Sequence, residues 1–311
     1  MSLPNRVYFN MVFPQLVEPV SLFWRLLAEY LTLVDSLPET FIFSGIAGQL
    51  PLEAKAKVSP DLVLTAFEIE SLIAERSLRG FGAHTGYSES SVGFELSELW
   101  DGEDFRERCS GFKCRIGQKA KSPDNWSILC DILLTRWPSI GAWQYLISYQ
   151  AWQWDSLKSD FYEFRNGTFP PGYRTYPEPN FCGPFEPRIF IDISKNPGRC
   201  KELIPGVNFY PTAEMWLGPH FWQYAKCTKE DALAADFFIE KRDTPNYLYL
   251  RCWPTAFTRP DGEQGRMQQR LWKLFFHEDC EWPPGSGTIC DEPMYGPAAL
   301  LPVDQSNTKQ I

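Results

Sequence analysis

Histidine is nearly absent from this chain. His84, His220 and His277 are the only three in 311 residues. No HExxH pair, Gly-rich phosphate loop or Gly-x-Ser-x-Gly turn occurs, so the commonest metal, nucleotide and nucleophile signatures are missing. A Ser/His/Asp site is recognised by geometry rather than by order, yet no serine lies in a strained-turn pattern. The nine cysteines include no Cys-x-x-Cys pair, which leaves out the tight spacing of most metal sites. They read as reduced, buried residues of a cytosolic protein. Long apolar runs are also lacking. The stretch around Leu22–Val34 is broken by Arg25 and Glu29, too short and too charged for a membrane span. Met1–Phe13 has no basic segment followed by an apolar one, so no secretory signal is expected.

Basic charge is the other shortage, and it is local. Residues 1–104 carry fifteen acidic and six basic side chains, whereas residues 105–311 carry twenty-four of each. The whole net charge of −9 therefore lies in the first third. Ten acids fall between Asp61 and Asp104, against only Arg76 and Arg79. An acidic chain is a poor direct partner for nucleic acid. A localised acidic face without chemistry suits a basic protein partner, although charge runs also serve as solvated faces.

What is abundant is aromatic: 12 Trp, 13 Tyr and 23 Phe, or 15% of the chain. Such residues build large cores and interfaces. Val7–Phe13 reads as a buried strand. Pro19 opens a helix to about Ser36, with Leu22, Phe23, Leu26, Leu27, Tyr30, Leu31 and Val34 at helical spacing. Phe41–Phe43 is a short strand. Ser59-Pro60-Asp61 predicts a capped helix to Arg79, followed by a Gly/Ser-rich loop over Gly80–Ser91. Alternation from Val92 predicts strands around Phe94–Leu99 and Phe112–Gln118, and the apolar run Trp126–Leu134 predicts a third. Ala142–Phe164 is aromatic-rich and fits helix or sheet.

Gly167–Pro187 holds six prolines and three glycines and reads as the main connection. Beyond it, Arg188–Ile193 predicts a strand. Thr228–Ala234 predicts a short capped helix. Phe237–Lys241 and Tyr247–Trp253 predict a hairpin about Asp243-Thr244-Pro245-Asn246. Gly262–Phe276 predicts a helix with Met267, Leu271, Leu274 and Phe275 inward. Segregated helices and strands favour an α+β class with antiparallel sheets. The expected organisation is two lobes of similar size: 1–166 with the acidic face, 188–282 after the 167–187 connection, then a 283–311 tail.

Several clusters invite chemistry. His277-Glu278-Asp279-Cys280 holds four possible ligands, but consecutive residues rarely face one point, and a helix end is the simpler account. His84 reads as part of the surface loop. Asp101-Gly102-Glu103-Asp104 hints at calcium, yet Arg106 and Arg108 intrude on an EF-hand pattern. Glu53-Ala54-Lys55 matches only the end of a nuclease carboxylate motif. Trp143, Trp152 and Trp154 suit core packing or ligand stacking. Trp216 and Trp222, flanking Pro219-His220, suit core or groove. No metal, cofactor or catalytic residue is expected.

The opening Arg6-Val7-Tyr8-Phe9-Asn10 strand, the Ala213-Glu214-Met215-Trp216-Leu217-Gly218-Pro219 block, the acidic balance and the missing enzyme motifs together resemble a family. It is the TsiT-like group of bacterial immunity proteins from polymorphic-toxin and type VI secretion (T6SS) pairs. Its members pair with restriction-endonuclease-like nuclease toxins. The resemblance implies a cytoplasmic antidote, not an enzyme, that occludes one cognate toxin. Nucleases are often basic around the substrate groove, so an acidic face can imitate a phosphate backbone.

The partner-binding candidates are therefore Glu68, Glu75, Glu89, Glu95, Glu98, Asp101, Glu103 and Asp104. No nucleic acid or membrane partner is expected, and oligomeric state is not legible. Two rivals stand: a hydrolase using an unrecognised carboxylate pair, and a carbohydrate- or protein-binding scaffold with exposed Trp.

Overall fold

Six consecutive residues, Gly141–Leu146, are buried, which requires packing on both faces of their strand. The computed structural model shows how this is met. It describes residues 7–15, 17–34, 41–45, 63–65, 81–84, 93–100, 108–116, 126–146, 149, 175–177, 187, 189–191, 194–204, 207–258 and 262–281. The elements in chain order are β1 (Val7–Phe13), α1 (Val20–Leu33), β2 (Phe41–Gly45), β3 (Val63–Leu64), β4 (Phe81–His84), β5 (Gly93–Trp100) and β6 (Arg108–Ile116). They continue with α2 (Trp126–Leu134), β7 (Gly141–Leu146), β8 (Thr175–Pro177), β9 (Ile189–Ile191), β10 (Lys201–Ile204), β11 (Val207–Phe209) and β12 (Glu214–Leu217). The last are α3 (Lys229–Ala234), β13 (Glu240–Asp243), β14 (Leu248–Arg251) and α4 (Gly262–Phe276). This is a mixed α+β fold. None of the described helices is long and apolar enough to cross a membrane.

One ten-stranded sheet runs β13-β14-β12-β7-β1-β6-β5-β4-β2-β3, with every pairing antiparallel. Two small hairpin-like pairs, β10–β11 and β8–β9, stand apart from it. β7 lies between β1 and β12, so the large sheet passes from the first half of the chain into the second.

Alternation then sorts the side chains. Met11, Ala142, Trp216 and Tyr249 fall in one cross-strand row. They join the core formed with α1 and α2. Trp143, Met215 and Leu250, one position along, join the core formed with α4 and β11. The first core is an aromatic stack: Phe9 lies 4.6 Å from Trp126 and nearly parallel to it, and meets Trp216 edge-on at 5.5 Å. Phe209 centres the second, within 6.1 Å of Trp143, Phe221, Trp272, Phe275 and Phe276. Truncating any one such fully buried aromatic costs about 3–5 kcal/mol.

The expected strand over Trp126–Leu134 is a helix. Trp126, Leu129, Cys130, Leu133 and Leu134 are its buried residues, recurring at i, i+3, i+4, i+7 and i+8 on one helical face inside a run apolar enough to hide the period. The loop expected over Gly80–Ser91 contains a strand. Phe81–His84 pairs with β2 and β5, so His84 stands in the sheet, opposite Ile42 and Gly93. The helix expected from Ser59 to Arg79 fails at least at Val63–Leu64, which pairs with Phe41–Ile42. The rest of that segment lies outside the described residues. Local capping chemistry there is overridden by strand pairing, a tertiary term.

Other expectations hold closely. α1 begins after Pro19. Thr228 caps α3, and Asp231 completes a capping box. The 240–251 hairpin closes with the Thr244 hydroxyl accepting from the Tyr247 N–H at 3.0 Å. In α4, Leu271 and Phe275 are buried, as are Trp272 and Phe276, while Met267 and Leu274 sit on the flank.

The edge strand β13 reads Glu-Lys-Arg-Asp, all four exposed. Lys241 donates to the carbonyls of Leu233 and Ala235 at 2.7 and 2.9 Å, and Lys229 pairs with Asp243 at 2.5 Å, so α3 is tied to this strand. A charged edge resists pairing with other chains.

The seam between β7 and β12 is closed by backbone. Gly218 donates to the Ile140 carbonyl at 3.0 Å. A Cβ on Gly218 would stand 2.0 Å from the Ser139 carbonyl oxygen, and backbone cannot move aside cheaply. Gly218→Ala is expected to lower unfolding stability by about 2–3 kcal/mol or more through overpacking. Urea denaturation monitored by Trp fluorescence checks it.

Candidate binding surface

Of the nominated acids, Glu95 and Glu98 fall on described backbone. β5 pairs Glu95 with Gly82 on one side and Lys113 on the other, and pairs Glu98 with Ser110. Glu68, Glu75, Glu89, Asp101, Glu103 and Asp104 lie outside the described residues. In sequence, the last three fall between β5 and β6.

A second group of charges was not visible in the sequence. Gln144, Glu214, Arg251 and Glu240 line up across β7, β12, β14 and β13. They share the face of the α1/α2 core but stand one row beyond it. Tyr249 donates its hydroxyl to Glu214, and Arg251 meets Glu240 at 2.8 Å. On the same face Tyr247 donates to Asp131 at 2.6 Å, and Arg242 lies over the Tyr249 ring. Burial, and then the bond to a carboxylate, raises the pKa of both phenols, so each remains a protonated donor at neutral pH. Each carboxylate accepts a short bond from its tyrosine. As it stands the geometry holds the β12–β14 strands in register. The four residues come from distant segments, and only strand pairing brings them together.

The His277–Cys280 cluster is a helix end, and its members diverge. His277 adopts φ 54°, and its N–H bonds the Lys273 carbonyl at 3.2 Å, an αL cap made without glycine. Glu278 turns to Arg199 at 3.0 Å and Lys201 at 2.5 Å. Asp279 turns to Lys273 at 3.2 Å. Arg199 is buried. Its guanidinium stacks 3.8 Å above the Trp272 ring, donates to the Lys195 and Asn196 carbonyls, and reaches the Cys280 sulfur at 3.2 Å. Together these contacts fasten the end of α4 to residues 195–201.

Among the tryptophans, Trp143 and Trp216 are buried and belong to the core rather than to a stacking platform. Trp222 packs half-buried at the rim of the second core. Trp152 and Trp154 lie outside the described residues.

No protein-family model matches the chain, and no curated protein matches it. Among solved structures it is similar to the Pseudomonas aeruginosa T6SS protein PA0821, at 10% identity and a TM-score of 0.48, over 95% of this chain and 80% of that one. The likeness is weak, and no residue role is transferred from it.

The Glu278 links set a pH dependence. Partial burial raises the Glu278 pKa, but hydrogen bonds from Lys201 and Arg199 outweigh it, and the carboxyl is held below its usual range. A depressed folded pKa stabilises above the unfolded value, near 4.3, and that contribution disappears as pH falls through the folded value. Glu278→Gln is therefore expected to flatten the fall in urea midpoint between about pH 5 and pH 3. An unchanged slope would place the acid sensitivity elsewhere.

Proposed function

We propose that the chain is a toxin-neutralising immunity protein acting in the cytoplasm. It binds a cognate secreted effector, a nuclease with a basic active-site surround, and blocks it by occlusion rather than by catalysis. The observation that carries this reading is the charge distribution. All of the net −9 lies in residues 1–104, while the remaining 207 residues balance to zero. Like charges repel and oppose compaction. A cationic partner relieves that repulsion and is steered to it.

The docking surface in this reading centres on Glu98, Asp101, Glu103 and Asp104, which are close in sequence. Glu68, Glu75, Glu89 and Glu95 extend the negative field around it. The same reading keeps two lobes, 1–166 and 188–282, with the acidic face on the first. The TsiT-like resemblance of the sequence supports the same class.

The test begins with the full chain, tagged, as bait in a source-cell lysate, followed by stopped-flow association with the captured protein. Glu98→Lys, Asp101→Lys, Glu103→Lys and Asp104→Lys together are expected to slow association by about tenfold or more at low salt. They also flatten its salt dependence. An association rate equal to the native one removes the electrostatic basis of the proposal.

A further inference from the structure

The second half of the chain, neutral overall, carries a local excess of the opposite sign. The exposed positions of α4 are Gly262, Glu263, Arg266, Arg270 and Lys273. Glu263 in the first turn and Lys273 in the last are what the helix dipole favours. Arg266 and Arg270, in the middle, have no such reason. With Lys273 they form a stripe at i, i+4 and i+7, about 10 Å long at 1.5 Å per residue.

Beside this stripe lies an open groove of about 550 Å³, lined by Asp236, Phe237, Gln269, Arg270, Lys273 and Leu274. Its size is within the range of ligand-binding clefts. Phe237 and Leu274 supply an apolar floor. The Arg270 guanidinium rests over the Phe237 ring at 5.7 Å, which holds it at the groove before any ligand arrives. Lys273 is engaged by Asp279 at 3.2 Å, with both side chains more than 70% exposed. Such a pair contributes little and yields to a competitor. Ile239, two residues past Phe237, is 57% exposed and extends the apolar character. Arginine and aromatics around an apolar floor are the composition of binding hot spots.

We propose that this groove docks an acidic peptide segment of a partner protein, one carrying a bulky apolar side chain among its carboxylates. The apolar side chain fills the floor between Phe237 and Leu274. The carboxylates meet Arg270, Lys273 and Arg266. Asp236 at the other rim repels acids and sets the direction in which the segment lies. The surface uses residues 236–274 and not the acidic segment 61–104, so this proposal and the immunity reading stand or fall separately.

The probe is a fluorescein-labelled peptide, Gly-Glu-Glu-Phe-Glu-Glu-Gly, titrated against the full chain by anisotropy at 50 and 300 mM NaCl. Saturable binding is expected at about 10–100 µM in low salt, weakened several-fold at high salt. Arg270→Glu with Lys273→Glu is expected to cost about tenfold or more, and Arg270→Gln with Lys273→Gln a smaller loss. Both pairs are exposed, and thermal melting verifies that each variant folds. Replacing the peptide phenylalanine by alanine is expected to weaken binding about fivefold or more. Absence of saturable binding overturns the proposal. So does equal affinity for the lysine counterpart of the peptide, or an affinity unchanged in both folded variants.

Discussion

The apolar contact of β7 with a core on each side is the constraint from which the remaining architecture follows. Ala142 and Trp143, adjacent in sequence, enter different cores. A strand buried on both faces must be internal and have a strand on each edge, and β1 and β12 supply them. α1 and α2 cover one face, and α4 with β11 covers the other. The close approach of Gly218 to Ser139 at the end of β12 follows from the same demand.

That arrangement divides the molecule by chemistry. The β7–β12–β14 part has apolar rows on both faces, with its polar side chains in one row and a charged edge at β13. At the other end, β5 and the segments around it carry the unbalanced acids. Packing dictates residue choice strongly in the first region. In the second, the composition carries an excess of carboxylates, and like charges repel; the proposed binding function is what would offset that repulsion.

Legibility in the sequence followed how local each cause was. α3 was readable because its cap is complete within four residues, Thr228 to Asp231. α1 and α4 were readable from amphipathic spacing, and β5 and β6 from alternation. Trp126–Leu134 misled because a nine-residue segment that is apolar except at Ser127 and Asp131 gives no clear period, and packing against Phe9 decides for a helix. Ser59-Pro60-Asp61 misled because a strong local cap lost to pairing of Val63–Leu64 with β2. The row Gln144, Glu214, Arg251 and Glu240 had only a partial sequence signal: the predicted hairpin joins β13 to β14, but the pairing of β14 with β12 and of β12 with β7 unites distant segments. The acidic excess was fully legible as composition. Its geometry was not, and of the eight nominated acids only the backbone of Glu95 and Glu98, both on β5, is described.

Hydrogen–deuterium exchange on the full chain, free and bound to its captured partner, tests the central claim most directly. Docking through the acidic end predicts new protection concentrated in residues 93–116, with the 207–258 backbone unchanged. Protection confined to residues 207–281, with 93–116 exchanging as in the free protein, would contradict it.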